Sequence, residues 1–228
     1  GASEFIGRSA KFSSGKYLNK SGALTGAVSN VKTFTFALAF QWDTATSSYL
    51  FRTVSGEGIS TLSSTLFRVV LDGPSGAMDA RITVSSSTSI WQTMLFSVDL
   101  ADTGKRHVYV NGVSASVTWT SYPSTTYDCL LDASFGIGAS PVGGDPFTGD
   151  LSFLYISQEY IDFSQEANRL KFFDAFNYPV DLGEDGSNPT GNQPVIYINN
   201  NFETGVNSGS GGNFVPQGAP PAGPDVSF

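Results

Sequence analysis

Carboxylates are the side chains that could make this chain an enzyme, because glycoside hydrolysis needs an acid and a second carboxylate facing each other. None of the glutamates has another carboxylate two residues away, the spacing that would put both on one face of a strand: Glu4, Glu57, Glu159, Glu166, Glu184 and Glu203. A Ser-His-Asp triad could form only through the single histidine, His107, which is interpreted as a strand residue hydrogen-bonded to a neighbour. We therefore predict that the protein is not an enzyme.

Aromatic side chains beside amides or carboxylates could instead bind sugars. The ring stacks on the apolar face of a sugar while the polar groups contact its hydroxyls. A strand end and the aromatic loop around Pro123 supply the candidates, which are Trp42, Asp43, Trp119, Tyr122 and Tyr127. Aromatics at strand ends are more typical of a core or an interface than of a lectin site, so both interpretations stay open.

The elements that position these residues are strands. Residues 91–119 read as strand, acidic turn, strand, Asn-Gly turn and strand, with Met94, Phe96 and Val98 alternating on one face. Asn111-Gly112 supplies the two positive-φ residues of a type I′ turn, and alternation continues after it through Val117 to Trp119. Alternation in residues 34–40 also predicts that Phe34, Phe36, Leu38 and Phe40 share one buried face.

The order of these motifs resembles the laminin G-like, or concanavalin A-like lectin/glucanase, superfamily. The resemblance covers about residues 12–157 and rests on KYL at 16–18, FTFALAFQW at 34–42, VYVNGV at 108–113, FGIGAS at 135–140 and FTGDLSFLYIS at 147–157. It implies an all-β fold, a two-sheet antiparallel jelly-roll sandwich. Relatives often carry a calcium ion at the rim, which would place Asp145 and Asp150 as metal ligands here, although turn aspartates also cap their own backbone. No other cofactor is predicted, since one His and one Cys argue against zinc.

A second resemblance concerns the C-terminal third. The segments PVDLGEDGSNPTGNQP at 179–194 and NSGSGGNF at 207–214 are similar to the tails of laminin G-like sandwiches in bacteriophage virion proteins. This resemblance implies a virion protein.

Charge and composition exclude some partners. The 228 residues carry a net charge of -8, and the 12 Lys and Arg are scattered, which argues against nucleic-acid binding. Lys11, Lys16 and Lys20 could form a local basic patch, but lysines also protect strand edges. Cys129 is interpreted as a small buried hydrophobe, and no apolar run is long enough to cross a membrane.

The predicted organisation is one domain followed by an arm. The sandwich covers residues 1–202, with a short helix over about 163–176 that Ser164 caps and a turn-rich segment over 178–194. Residues 203–228 are predicted to be a Gly/Pro-rich C-terminal arm, because each ordered residue costs about 1–2 kcal/mol and this composition offers little to compensate. Another subunit would therefore hold it, through the assembly residues Phe214, Pro220, Pro221, Pro224 and Phe228.

These observations predict a non-catalytic virion structural protein, a capsid decoration or tail-appendage protein on the virion surface. Its partners would be other virion subunits or further copies of the chain. A glycan-binding host-attachment module and an extracellular bacterial cell-surface adhesion domain are the alternatives. The start at Gly1 is interpreted as trimming of an initiator Met, and a cloning remnant that includes Glu4-Phe5 is the alternative.

Overall fold

The structure is a computed structural model that describes residues 7–228, so Glu4 and Phe5 lie outside the described residues. The first eight strands are β1 (Ala10–Phe12), β2 (Tyr17–Ser21), β3 (Thr33–Trp42), β4 (Ser48–Thr53), β5 (Gly58–Ser63), β6 (Leu66–Leu71), β7 (Met78–Thr83) and β8 (Gln92–Asp99). The later elements are β9 (Arg106–Val110), β10 (Val113–Ser114), β11 (Val117–Ser121), a 3₁₀ turn (Cys129–Leu131), β12 (Ser134–Ile137), β13 (Gly149–Ser157), α1 (Glu166–Arg169), β14 (Ile196–Asn199) and β15 (Val215–Gln217).

The strands form two antiparallel sheets that pack face to face. The first sheet has the order β1-β13-β3-β8-β9-β10, with β14 also paired to β13. The second sheet has the order β11-β7-β6-β5-β4-β12-β2-β15. This arrangement confirms the predicted all-β jelly-roll sandwich.

The core between the sheets follows from side-chain alternation. Phe34, Phe36, Leu38 and Phe40 of β3 are all buried in the cluster shared by the two sheets, as the period of two predicts. Each contributes about 1.5–3 kcal/mol on burial. The predicted inward face of this strand is therefore confirmed.

The Asn-Gly hairpin forms as predicted, but the strand after it does not. Asn111 and Gly112 have φ values of 52° and 77°, and Val113 pairs with Val110 across the turn. After Ser114 the chain leaves the first sheet, and β11 pairs with β7 of the second sheet. The prediction of one continuous strand from Val113 to Trp119 was wrong, because residues of equal alternation can serve two different sheets.

The predicted helix over 163–176 is also wrong in extent, since α1 has only four residues. Ser164 does not cap it; its hydroxyl bonds Asp162, and Gln165 is the N-cap without a side-chain bond. Phe163 and Phe172 are buried against the first sheet. Burial of these rings decides the path of the segment, and helical spacing does not.

The C-terminal residues 203–228 pack on their own chain, so the prediction of an arm held by another subunit was wrong. β15 pairs with β2, and the Lys11 N–H donates to the Pro221 carbonyl at 2.8 Å. Proline lacks an N–H but keeps its carbonyl as an acceptor, which the entropy argument overlooked. The predicted assembly residues all lie in this tail: Phe214 and Pro220 are buried, the Pro221 and Pro224 carbonyls accept bonds from residues near the N-terminus, and Phe228 contacts Tyr178.

The outer face of the first sheet, called the covered face below, is buried under residues 158–195. Its strands present Ala37, Ala39, Leu95, Phe153 and Tyr155, which form a second apolar cluster with side chains from the covering segment: Ile161, Phe163, Phe172, Phe173 and Leu182. In the part of the chain that the structure describes, no helix is long and apolar enough to span a bilayer.

Candidate functional site

A pocket opens where this covering segment meets the Asn-Gly hairpin. It has a volume of about 210 Å³ and is called the hairpin pocket. The first sheet and its hairpin supply one side, Thr93, Leu95, Tyr109, Asn111 and Gly112. The covering segment supplies the other, Glu166, Arg169, Leu170, Phe173, Asp174, Ala175 and Asn177.

The hairpin side of the pocket is fixed by backbone bonds of Asn111. Its Oδ1 accepts the Thr93 N–H at 2.9 Å, and its own N–H donates to the Thr93 carbonyl at 3.0 Å. These bonds hold the turn against β8 and use the acceptor of the Asn111 amide. The Nδ2 group makes no hydrogen bond within residues 7–228, so two donors remain for a ligand.

A stacked pair forms the centre of the pocket wall. The Arg169 guanidinium lies 4.3 Å from the centroid of the Tyr109 ring, and its Nη1 donates to the Phe163 carbonyl at 2.7 Å. Stacking and the carbonyl bond together restrict both side chains. A rigid wall lowers the entropy that ligand binding would otherwise cost.

The third part of the pocket is a turn after α1. Asp174 Oδ1 accepts the N–H groups of Phe176 and Tyr178 at 2.8 and 3.0 Å, which closes the turn. Asn177 has a φ of 66°, and its Oδ1 would lie 3.3 Å from a Cβ placed on Gly112. A side chain at Gly112 would therefore crowd the Asn177 amide at the pocket mouth.

The pocket combines polar groups with an apolar surface. Leu170 is 43% exposed, and Glu166 on α1 is exposed beside it. Amide donors, a carboxylate and an apolar wall are the groups that contact the hydroxyls and the C–H face of a sugar. The arrangement can hold a small polyhydroxylated ligand.

The sequence-predicted aromatics do not meet in such a site. Trp42 and Tyr127 are fully buried in the core, so their prediction as sugar-stacking residues was wrong. Trp119 and Tyr122 lie half-buried near the β11 edge, with their ring centroids 5.3 Å apart and the Arg106 guanidinium 5.0 Å from each. Burial raises the pKa of Tyr122, and its hydroxyl donates to a backbone carbonyl.

The predicted calcium ligands have other partners. Asp150 is buried, and its Oδ2 accepts from Gln41 Nε2 at 3.0 Å and lies 3.3 Å from Lys11 Nζ. Lys11 also pairs with Asp43, the predicted sugar ligand, at 2.5 Å. Asp145 accepts from the Tyr49 N–H through its carbonyl. Across residues 7–228 no three His, Cys, Asp or Glu side chains are placed so that they could hold a metal ion together, and calcium binding stays a prediction.

The remaining candidates for chemistry are engaged within the fold. His107 Nε2 lies 2.7 Å from the Tyr160 hydroxyl and 3.3 Å from Asp162 Oδ1. Burial raises the pKa of the Glu57 carboxyl, whose Oε1 accepts the Asp72 N–H at 2.6 Å. These bonds give each group a structural role.

Comparisons with known proteins identify the fold. No family model matches the chain, and no curated protein matches it. A candidate carbohydrate-binding protein from Bacteroides ovatus is 19% identical with a TM-score of 0.63 and covers 97% of this chain, which spans 59% of that protein. A native heptameric SAP-like pentraxin from Limulus polyphemus is 13% identical with a TM-score of 0.58, over 97% of each chain. At these identities the likeness concerns the fold, which agrees with the predicted concanavalin A-like and laminin G-like resemblance.

Sequence reasoning did not predict the hairpin pocket, since none of the predicted sugar-binding residues lines it. Tyr109 and Asn111 stand two residues apart on a hairpin that was recognised, and this aromatic-amide pair was a usable signal. Arg169 and Asn177 come from the segment predicted as a longer helix. Their approach to the hairpin depends on how that segment packs, which no local pattern records.

Proposed function

We propose that this protein is a non-catalytic glycan-binding module and that the hairpin pocket is its sugar site. The observation that carries the proposal is the meeting of amides, a carboxylate and an apolar wall at one rigid pocket. The Bacteroides ovatus neighbour, described as a candidate carbohydrate-binding protein, has the same fold and supports this class of function.

The size of the pocket limits its ligand. Its volume of about 210 Å³ is below the roughly 300–1,000 Å³ typical of pockets for drug-sized ligands. One sugar ring, at the end of a chain or as a branch, fits this space. The Tyr109 and Leu170 side chains would contact its C–H face, while Asn111, Asn177 and Glu166 would bond its hydroxyls.

The first test removes the Asn177 amide without disturbing the backbone. Glycine adopts the left-handed conformation of Asn177 freely, so Asn177→Gly deletes the side chain alone. Loss of one or two hydrogen bonds should weaken binding of the best ligand on a glycan array by about fivefold to tenfold, measured by calorimetry.

The matched control is Asn30→Gly. Asn30 also has a positive φ, 57°, and lies outside the hairpin pocket. Its variant should bind as the parent does. Equal affinities of the parent, Asn177→Gly and Asn30→Gly for the array ligand would show that the hairpin pocket is not the sugar site.

The second test addresses the apolar wall. Leu170→Ala removes exposed apolar surface, and Leu131, which is 37% exposed and outside the pocket, provides the control Leu131→Ala. Both changes should leave the free energy of unfolding within about 0.5 kcal/mol. Only Leu170→Ala should weaken glycan binding.

The proposal places the protein where glycans are exposed, outside cells or on a surface. The virion role and the adhesion-domain alternative stay predictions, since no observation tests either of them. The arm that favoured attachment to another subunit packs on its own chain, so this support for a capsid or tail-appendage role is gone.

A further inference from the structure

The outer face of the second sheet, called the open face, carries a row of polar and aromatic side chains across its central strands. Across the central strands Tyr49 is opposite Ser60, Ser60 is opposite Arg68, and Arg68 is opposite Arg81. The side chains of Arg68 and Arg81 are 37% and 41% exposed. Arginine in the outward positions of neighbouring strands is unexpected in an acidic chain.

A groove runs along this face and is called the arginine groove. Its floor is Gly58 and Ser60 of β5, one wall is Tyr49 and Arg52 of β4, and the other wall is Arg68 and Val70 of β6. Gly58 has a φ of 126°, and a Cβ there would lie 2.2 Å from the Phe51 carbonyl oxygen, so the floor stays low.

The groove continues past β4 into a second depression. The two share Tyr49 and Arg52 and have volumes of about 90 and 250 Å³. The second reaches Ser140, Val142 and Asp145 on the neighbouring loop, and Val142 is 88% exposed. Arg52 therefore stands at the middle of one continuous surface.

The two wall arginines are held differently. The Arg52 guanidinium lies 4.0 Å from the centroid of the Tyr49 ring and, within residues 7–228, makes no ion pair. Arg68 donates from Nε and Nη2 to Asp79 Oδ2 at 3.0 and 2.7 Å. Asp79 fixes Arg68, while stacking fixes Arg52 and leaves its donors unpaired by any acid.

The acidic groups near the groove do not cancel this charge. Asp79 is opposed by Arg68 and Arg81, and Glu57, at one end, is mostly buried and bonded to the Asp72 N–H. Asp145 lies on the far side of the second depression. The centre of the surface is cationic, with an aromatic ring beneath the free guanidinium.

We propose that the arginine groove is a second binding site, which takes the carboxylate or sulfate group of an acidic saccharide. The paired donors of an arginine guanidinium can contact two oxygens of a carboxylate or of a sulfate group at once. The walls lie two strands apart, about 10 Å between backbones, which admits a flat ring between them. This site lies on the other sheet from the hairpin pocket and does not rest on it.

An acidic saccharide is favoured over an acidic peptide by the position of the groove. Peptides commonly bind a sheet by adding a strand to its edge. The groove lies on β4, β5 and β6, whose backbones are already paired on both sides. Recognition there must come from side chains that contact a ring and its charged substituent.

The experiment compares polysaccharides by affinity electrophoresis at low salt. The probes are polygalacturonate for carboxylates, dextran sulfate for sulfates, neutral dextran, and poly-glutamate as the acidic peptide. The full chain should bind at least one acidic polysaccharide, bind dextran and poly-glutamate at least tenfold more weakly, and lose affinity as salt increases. Comparing the two acidic polymers distinguishes carboxylate from sulfate.

Variants then locate the site. Arg52→Gln should weaken acidic-polysaccharide binding at least about tenfold, because a charge-assisted contact is lost. Arg106→Gln is the matched control, because it removes the same charge from an arginine that stacks on the rings of Trp119 and Tyr122, outside the groove. Its affinity for the acidic polysaccharide should stay within about twofold of the parent's. Asn30→Gly, which lies outside both proposed sites, should also bind as the parent does.

Three results would overturn the proposal. These are no binding of either acidic polysaccharide, equal losses in Arg52→Gln and Arg106→Gln, or poly-glutamate binding as tight as that of the saccharides. Failure of the hairpin-pocket proposal is measured separately, because it would show only as an unchanged affinity of Asn177→Gly for the array ligand.

Discussion

The two outer faces of the sandwich are both built from antiparallel strands, but one is covered by another segment of the chain and the other is exposed. On the covered face, outward positions of the strands hold Ala37, Phe153 and Tyr155, and residues 158–195 bury them. On the open face, the equivalent outward positions hold Ser60 and Arg68, which remain partly exposed. Residue type at outward strand positions therefore decides which face acquires a cover.

The difference also separates the two candidate sites by their chemistry. The hairpin pocket forms at the margin of the cover, where two segments meet and enclose space with amides and an apolar wall. The arginine groove lies on the uncovered sheet, where a shallow surface is shaped by small residues between larger ones. An enclosed site suits the terminal sugar of a neutral saccharide, and a shallow cationic site suits an acidic saccharide.

The largest expected effect comes from breaking the cover. Phe172 packs on Tyr155 and Phe163 with ring centroids 4.9 and 5.6 Å away. Phe172→Ala should lower the free energy of unfolding by about 3–5 kcal/mol, measured by urea denaturation. Tyr49→Ala on the open face should change it by about 1 kcal/mol or less, because Tyr49 is already half-exposed.

Similar losses from both variants would contradict the comparison. The open face would then contribute to stability as the covered face does, and its arginines would need a structural explanation. A loss confined to Phe172→Ala would show that the open face contributes little to the free energy of unfolding.

The next effect concerns the edge of the second sheet. Truncation before Val215 removes β15 and the buried Val226, together with the Val226 N–H bond to Gly7 at 2.8 Å. We expect a loss of about 1–3 kcal/mol and a melting temperature lower by several degrees. Phe228→Ala, at a 47% exposed side chain, is the control and should be nearly neutral.

An unchanged melting temperature after truncation would restore the tail as an arm with no role in its own domain. The assembly prediction would then regain its premise. A clear loss would instead show that the open face is part of a sheet whose edge the tail closes.

Local chemistry explains which parts of the fold could be predicted. The inward face of β3 follows from a period of two, and the turn at Asn111-Gly112 follows from two positive φ values, so neither needs information from distant residues. The length of α1 and the path of residues 203–228 depend on contacts with distant strands. Burial of Phe172 and pairing of β15 with β2 override helical spacing and proline content.

The sites were harder to predict than the fold. Aromatic type alone did not separate Trp42, which is in the core, from Tyr109, which lines a pocket. Arg68 and Arg81 are opposite each other on neighbouring strands and stand between buried residues, and the sequence prediction did not use this signal for the arginine groove. The hairpin pocket needed the approach of Asn177, and only the packing of the covering segment provides it.

The smallest expected effect tests a buried charge at the end of the arginine groove. Burial raises the pKa of Glu57 above its ordinary 4.5, and the nearby Asp132 and Asp72 carboxylates add to this rise. The folded protein therefore holds the Glu57 proton more tightly than the unfolded chain. The stability linked to this group is complete below pH 4.5 and is lost as pH rises through the folded pKa.

Glu57→Gln should remove this loss. The glutamine oxygen can still accept the Asp72 N–H, so the variant should melt at a higher temperature than the parent at pH 7 and at nearly the same temperature at pH 4. Glu203→Gln, at an exposed position, is the control and should show no such pH-dependent difference. A lower melting temperature of Glu57→Gln at pH 7 would mean that the ionised carboxylate stabilises this end of the open face.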